Sequence, residues 1–151
     1  MALVVLSPCV NVDISVSRDR DETPVVRIED VRFEVEVADT QRLRQRGLTG
    51  RPYLEERKGM LFIPDGPEVA PFWMKGMLFP LDFIWIGRDC RVADVNTYAN
   101  VPTPGTPDDE MRRYRPYPTA TYTLEVNAGE ADRLRIRVGD KVKFENIDGR
   151  C

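Results

Sequence analysis

The sequence predicts a mainly β domain, a small sandwich or barrel with one or two short helices. Segments that alternate apolar and polar side chains recur at short intervals, and few segments have helical periodicity. Twelve prolines and ten glycines supply the turns that such a fold needs. A chain of 151 residues has the usual length of one domain. We therefore expect one β domain at residues 25–151, preceded at residues 1–24 by a tail or edge strand and a linker.

The N-terminal third of the chain contains two predicted strands. Residues 10–16 alternate β-branched and polar side chains, which indicates a strand, and a charged linker follows at residues 18–24. Residues 31–37 alternate apolar and charged side chains throughout, so they give the clearest half-buried strand of the chain. One face of this strand is expected to pack on the core.

A short helix and a buried strand are predicted next. Asp39 can cap a helix that runs to about Arg46, and Gly47 can end it. After a turn, the apolar residues 60–63 are typical of a core strand.

The most apolar stretch, residues 72–86, holds both tryptophans and has only two formal charges, Lys75 and Asp82. Glycine and proline at 76 and 80 interrupt it, which predicts two buried strands joined at residues 76–80. The second strand is expected to form a hairpin with residues 90–95. Lysine and aspartate are rarely buried without a partner, so these two charges are candidates for function.

The last third begins with a long proline-rich segment, residues 100–118, and long loops tend to be functional or mobile. Its arginines and tyrosine at 112–115 can stack on bases or sugars, but a short helix with acidic residues first and basic residues last is the favoured alternative. A strand at 121–126 follows. Asn127 and Glu130 have capping-box spacing for a short helix, and the last strand is predicted at 141–144.

Several segments together resemble the family called domain of unknown function 192 (DUF192). The matching segments are Phe72-Trp73-Met74-Lys75, Pro80-Leu81-Asp82, Arg46-Gly47-Leu48 with Arg51, Gly59-Met60-Leu61-Phe62, Leu124-Glu125-Val126-Asn127-Ala128-Gly129 and Gly139-Asp140-Lys141-Val142. The resemblance runs from about residue 31 to 144 and implies a small jelly-roll-like β domain, not an activity. The sequence departs from the family pattern twice. Gly76-Met77 stands where the family usually has Asn-Thr, and Thr49 replaces the usual methionine.

Composition argues against several classes of function. The net charge of −3 gives no overall attraction to nucleic acid or to an anionic membrane. The absence of histidine removes the commonest metal ligand and the commonest general base at neutral pH. The three cysteines lack metal-ligand spacing. We therefore expect no metal site, no cofactor and no nucleic-acid partner.

The cysteines also bear on redox state and location. Cys9 and Cys151 lie near the two ends of the chain, so a bridge between them stays open, whereas Cys90 is interpreted as a packing residue in a strand. The apolar run before Cys9 is too short for a complete signal peptide but resembles the end of a lipoprotein signal. The location is therefore left open. The protein is cytoplasmic as written, or exported and lipid-anchored at Cys9 if the true start lies upstream. No segment is long and apolar enough for a membrane span.

The candidate functional residues are the charged and aromatic side chains inside the matching segments. Trp73 and Lys75 alternate with Phe72 and Met74, so an exposed Lys75 would bring Trp73 to the same surface. The alternative is that Lys75 pairs with a buried carboxylate, Asp82 or Glu125, and only fixes the strand register. The ligand-binding candidates are Arg46, Arg51, Trp73, Lys75 and Glu125, and the candidates for a structural polar role are Asp82 and Asp140.

Three functional hypotheses follow. The favoured one is a non-enzymatic domain that binds a small molecule, a glycan or a protein through a face around Lys75. The second is an enzyme that uses Lys75 or a carboxylate as acid or base, on a carbohydrate or cell-envelope substrate. The third is a purely structural or interaction domain. No nucleophile motif or phosphate-binding loop favours the enzyme.

Overall fold

The computed structural model describes residues 22–67, 69–148 and 151 of the chain. These residues form seven strands and two short helices. In chain order the elements are β1 (Val25–Ile28), β2 (Val31–Ala38), α1 (Gln41–Arg46), β3 (Lys58–Phe62), β4 (Leu81–Ile86), β5 (Val92–Ala99), β6 (Tyr122–Asn127), α2 (Glu130–Arg133) and β7 (Val142–Glu145).

All seven strands belong to one curled sheet, a half-barrel with strand order β5-β4-β6-β3-β2-β1-β7. Every neighbouring pair is antiparallel except β2 and β3, which run parallel because α1 carries the chain back between them. The two edge strands approach each other at one end, where Arg91 and Lys141 form an isolated bridge. There the N–H of Val92 donates to the carbonyl of Asp140 at 2.9 Å. The predicted mainly β class is confirmed.

The sheet has a buried layer on each face. The inner layer contains apolar side chains from all seven strands, including Phe33, Leu61, Ile84 and Leu124, and is closed by Ala131 of α2. This arrangement follows from the period-two alternation seen in β2 and β6, which sends every second side chain inward.

The outer layer is covered by α1 and by the two long loops, residues 63–80 and 100–121. The central strand β6 contributes only polar side chains to this layer. Apolar residues come from the neighbouring strands and the loops, among them Met60, Phe62, Phe83 and Trp85. By register, the β6 residues on this face are Thr123, Glu125 and Asn127. A polar row therefore lies in the middle of an apolar layer.

The predicted strands at 31–37 and 121–126 and the hairpin of β4 and β5 are confirmed. The hairpin register shows irregularities between Leu81 and Phe83 and between Trp85 and Ile86. β1 was not predicted, because its four residues, Val25–Ile28, directly follow the charged linker and are too few to show a period. The strand predicted at 10–16 lies outside the described residues.

The prediction of a strand at residues 72–75 is wrong. Phe72 makes only an isolated bridge, to Tyr114, and the chain then turns at Lys75 and Gly76. The physical reason is that β4 is already paired on both edges, with β5 and β6, so no edge is left for a second strand from this stretch.

Two predicted helix caps are also wrong. Thr40, not Asp39, caps α1, and its hydroxyl accepts a hydrogen bond from the N–H of Leu43, while Gly47 ends the helix as expected. Gly129 precedes α2, whose cap has no side-chain hydrogen bond. Asn127 instead donates its amide to the carbonyl of Leu54 at 2.9 Å, because its side chain points to the outer layer.

Cys90 is not a strand residue. It lies in the turn between β4 and β5 and forms a disulfide with Cys151, 61 residues away in the chain. This pairing replaces the Cys9–Cys151 bridge that the sequence left open, and Cys9 lies outside the described residues. Neither helix in the described part of the chain has the length and apolar character to cross a bilayer.

Candidate functional site

An open groove with a volume of about 380 Å³ runs between α1 and the loop that precedes β4. One side chain at its end is Trp73, which is 37% exposed although it is a large aromatic residue. The aromatic rings of Phe62 and Phe72 and the side chains of Gln41 and Gln45 also line it. We call this concavity the Trp73 groove.

Cations flank Trp73 on the protein surface. The guanidinium carbon of Arg113 lies 3.8 Å from the centre of the indole ring. The Lys75 ammonium lies 5.0 Å from it. Lys75 also forms an ion pair of 2.5 Å with Asp108, and Arg113 donates to the carbonyl of Asp108. These contacts hold the indole in a fixed orientation while the residue stays 37% exposed.

The opposite wall of the groove is α1. Gln41 and Gln45 are exposed and lie one helical turn apart, so their amides are directed to the same side. Arg44 ties the helix to the loop after β3, since it donates to the carbonyls of Asp39 and Ile63 and pairs with Asp65. The groove therefore combines a rigid wall, aromatic surfaces and amides that can donate and accept hydrogen bonds.

The Lys75 main chain is anchored to the turn after α1. The N–H of Gly50 donates to the carbonyl of Gly76 at 3.0 Å. The Thr49 hydroxyl lies 3.4 Å from the Lys75 carbonyl. Gly76 has a φ of +69°, and a Cβ there would lie 2.7 Å from the Cγ2 of Thr49. Two of the three residues that depart from the family pattern, Thr49 and Gly76, thus lie next to each other.

Two buried polar side chains of β6 lie on the same face of the sheet as Phe62, which lines the groove. Thr123 is fully buried and Glu125 is 6% exposed. Neither Thr123 Oγ1 nor Glu125 Oε2 has a hydrogen-bond partner. By register, Phe62 and Trp85 flank Thr123 on either side. Burial raises the pKa of the Glu125 carboxyl to about 8, so it keeps its proton at neutral pH.

Phe72 lies between the groove and this polar pair. Its ring centre is 4.8 Å from that of Phe62, 5.6 Å from Phe83 and 5.5 Å from Trp85. Phe62 belongs to β3 and the other two rings to β4, which are the strands on each side of β6. Phe72 therefore spans the strand that carries Thr123 and Glu125, and it lines the groove as well.

Arg51 and Arg46 lie elsewhere, near a second groove of about 500 Å³ that Arg51 and Tyr53 line. Arg51 makes a two-point contact with Glu36 at 2.5 and 2.7 Å. Hydrogen bonding to Arg51 is the main cause that lowers the pKa of Glu36, and the charge of Arg46 contributes less. The structure does not bring either arginine into the Trp73 groove.

The carboxylates of Asp82 and Asp140 accept hydrogen bonds from backbone N–H groups. Asp82 is fully buried, and its carboxylate accepts hydrogen bonds from the N–H groups of Tyr98 and Ala131, each at 2.9 Å. The Asp140 carboxylate accepts from the N–H of Arg137 at 2.8 Å in the turn before β7. Lys75 contacts neither Asp82 nor Glu125 and pairs with Asp108 instead.

Sequence reasoning brought Trp73 and Lys75 to one surface but missed their partners. Arg113 and Asp108 come from the long loop, where a local helix was the favoured alternative; residues 107–110 form a turn instead. No local pattern in the sequence distinguishes Gln41 and Thr123, because their positions in the structure depend on which elements pack together. Within residues 22–67, 69–148 and 151, no three His, Cys, Asp or Glu side chains converge to hold a metal ion.

Comparisons with known proteins agree with this fold. The family model DUF192, described as "Uncharacterized ACR", matches residues 24–144. A solved protein of unknown function from Novosphingobium aromaticivorans DSM 12444 is 32% identical, with 80% of this chain and 83% of that chain covered and a TM-score of 0.68. A proposed transcription regulator from Sinorhizobium meliloti 1021 is 24% identical, with 82% and 93% covered and a TM-score of 0.67, and supports the fold alone. None of the curated proteins matches the chain.

Proposed function

The chain belongs to the DUF192 family, and we propose that it is a non-catalytic domain that binds a small molecule or a segment of a glycan in the Trp73 groove. The observation that carries the proposal is the exposed indole of Trp73 at the end of an open groove. An exposed tryptophan that cations hold in place is a flat surface on which a ring can stack.

The surroundings of the indole support a small ligand. The amides of Gln41 and Gln45 stand across the groove from aromatic side chains, and ligand sites commonly combine apolar walls with a few polar groups that fix orientation. Lys75 lies at the rim of the groove, where it contacts the Trp73 indole and pairs with Asp108. This refines the predicted face around Lys75, since Trp73 and not the lysine lines the concavity.

A ligand screen by thermal shift tests the proposal. The panel contains neutral mono- and disaccharides, amino acids, nucleosides and short peptides. At least one member is expected to raise the melting temperature of the wild type, because a ligand that binds only the folded state stabilises it. The same member should leave Trp73→Ala unchanged.

Tyr53→Ala is the matched control. Tyr53 is also an exposed aromatic residue, but it lines the second groove. A shift that survives Trp73→Ala and disappears in Tyr53→Ala would move the binding site to the second groove. A panel that shifts no variant at all would contradict small-ligand binding and favour the interaction-domain hypothesis.

The second candidate is an enzyme, and the Glu125 carboxyl is the observation that favours it. A carboxylic acid that stays protonated in apolar surroundings is suited to act as a general acid. Lys75 is a poorer candidate for a base, because it is exposed and ion-paired with Asp108. Product analysis of any ligand found in the screen decides between the two. Turnover that Glu125→Gln abolishes without loss of binding would establish the enzyme.

A further inference from the structure

The outer layer of the sheet holds two buried polar atoms that have no hydrogen-bond partner, Thr123 Oγ1 and Glu125 Oε2. Thr123 and Glu125 lie side by side on β6, facing the same way, and both are more than nine-tenths buried. A buried donor or acceptor without a partner costs stability, so most such groups are satisfied in folded proteins. Two of them next to each other indicate a position where atoms from outside the fold complete the hydrogen bonds.

The Phe72 ring is the cover that lies between these groups and the Trp73 groove. It packs on Phe62 and on Trp85, which flank Thr123 from the two neighbouring strands. The Phe72 main chain is held at both N–H and carbonyl by Tyr114, at 2.9 and 2.8 Å. Because the main chain is fixed and the side chain is only partly buried, rotation about the side-chain bonds can move the ring alone.

We propose that the Trp73 groove continues inward, when the Phe72 ring rotates, to an inner subsite in which Thr123 and Glu125 hydrogen-bond the hydroxyl groups of a sugar or similar uncharged polyol. This inference rests on the proposed binding function of the groove. The outer part, Trp73 with the two glutamines of α1, stacks on a ring and binds its edge. The inner part supplies hydroxyl and carboxyl groups that can each donate and accept.

The charge of the surroundings favours an uncharged ligand. Met60 and Phe83 flank Glu125 from the neighbouring strands. The charged groups of the surrounding elements are paired with each other, among them Glu36 with Arg51, Lys58 with Glu34, and Lys75 with Asp108. On this face β4 offers only Leu81, Phe83 and Trp85. Among the described residues, no cation lowers the pKa of this carboxyl, which burial raises.

An organic cation is the competing occupant, since aromatic rings around a carboxylate also suit an ammonium group. The cations at the rim, Lys75 and Arg113, disfavour its entry. The two occupants respond to pH in opposite ways. A polyol needs the protonated carboxyl, so its binding weakens as the pH rises through about 8, whereas binding of an ammonium ion strengthens over the same range.

The test is titration of the full chain with glucose, N-acetylglucosamine, myo-inositol and methylammonium chloride, followed by the fluorescence of Trp73. Each titration is done one pH unit below and one above about 8. The variants are Thr123→Val, Glu125→Gln, Glu125→Leu and Trp73→Ala, the last read by thermal shift. Near-UV circular dichroism verifies that each variant keeps the native packing.

We expect at least one neutral probe to bind the wild type, about tenfold more weakly at the higher pH. Thr123→Val and Glu125→Leu should each weaken it about tenfold or more, while Glu125→Gln keeps binding within about threefold and removes the pH dependence, since an amide mimics the protonated carboxyl. We expect the near-UV circular dichroism spectra of these variants to match that of the wild type, so that weaker binding cannot be attributed to unfolding.

Three results would overturn the inference. If Thr123→Val and Glu125→Leu bind as the wild type does while Trp73→Ala does not, the inner subsite is wrong and the groove function stands. Binding of methylammonium that strengthens with pH would replace the polyol by a cation. If none of the neutral probes binds, the ligand class is wrong, and the broader screen on Trp73→Ala then decides separately whether the groove binds anything.

Discussion

The carboxylate of Asp82 in β4 accepts a hydrogen bond of 2.9 Å from the backbone N–H of Ala131, in the first turn of α2. Its other oxygen accepts from the N–H of Tyr98 at the same distance. One buried side chain thus joins the central sheet to the short helix that closes the inner layer and to the end of β5. The charge of this carboxylate is balanced by backbone dipoles and not by Lys75.

Asp82→Ala is expected to destabilise the fold by about 3 kcal/mol or more, because it leaves two buried N–H groups without acceptors. Lys75→Met is the matched change at the other charge of the same stretch, and we expect a cost of less than about 1 kcal/mol, since the Lys75–Asp108 pair is exposed. Urea unfolding midpoints measure both. Equal large losses would mean that Lys75 has a structural role, and the binding face would lose a residue.

The buried Glu125 makes stability depend on pH. The unfolded chain releases this proton near 4.5, whereas the folded protein holds it to about 8, so the folded state binds more protons between these values. Stability therefore falls as pH rises from about 4.5 to about 8 and is level above that range. The loss is about 5 kcal/mol.

Glu125→Gln should remove most of this slope in urea unfolding followed across the same pH range. Burial also raises the pKa of Glu130, so a smaller slope of the same sign is expected to remain in the variant. The carboxyls of Glu34, Glu36 and Glu145 have lowered pKa values and act below this range. A wild-type profile that is flat from about 5 to 8 would show that Glu125 is ionised or solvated in solution.

Thr123→Val is expected to stabilise the protein by about 1 kcal/mol, because it removes a buried hydroxyl that has no partner. Thr106→Val is the matched control, and it should cost stability instead, since the Thr106 hydroxyl donates to the carbonyl of Thr103 at 2.7 Å. Thermal unfolding compares the two. A destabilised Thr123→Val would show that the hydroxyl is satisfied, for example by a water, and would weaken the case for the inner subsite.

Acrylamide should quench the fluorescence of the two tryptophans to different extents. Trp85 is fully buried and its Nε1–H donates to Asn96 at 2.9 Å, whereas the Trp73 indole is partly open. We expect Trp73→Phe to remove nearly all of the fluorescence that acrylamide quenches, and Trp85→Phe to leave a fully quenchable signal. Quenching that persists in Trp73→Phe would mean that the loop before β4 opens and exposes the outer layer.

The disulfide between Cys90 and Cys151 closes a loop of 61 residues. Chain-entropy arguments give such a cross-link about 3–4 kcal/mol of stability. Cys90→Ser, Cys151→Ser and the double variant should therefore lose similar amounts in the absence of reductant. A peptide map without reduction identifies the pair directly, and a peptide that links Cys9 to Cys151 would contradict the pairing.

The strands were largely predictable because alternation along one segment reports which side chains face the core, as in β2 and β6. Local patterns do not report which segments pair, so residues 72–75 were assigned to a strand although β4 had no free edge for it. The candidate site shows the same limit. Trp73 and Lys75 are close in sequence and lie side by side in a loop, not in the predicted strand, but Arg113 reaches the indole from a loop forty residues away, counted along the sequence. Arg51 is nearer to Trp73 in sequence than Arg113 is, but it pairs with Glu36 instead.

The contact between Thr49 and Gly76 couples the two departures from the family pattern. A Cβ at position 76 would lie 2.7 Å from the Thr49 Cγ2, so a side chain there requires the threonine to shift or to be replaced. We therefore expect residues 49 and 76 to vary together among relatives. Relatives that carry asparagine at position 76 should lack threonine at position 49, and statistical covariation between these positions would record a steric constraint without implying any shared role in binding.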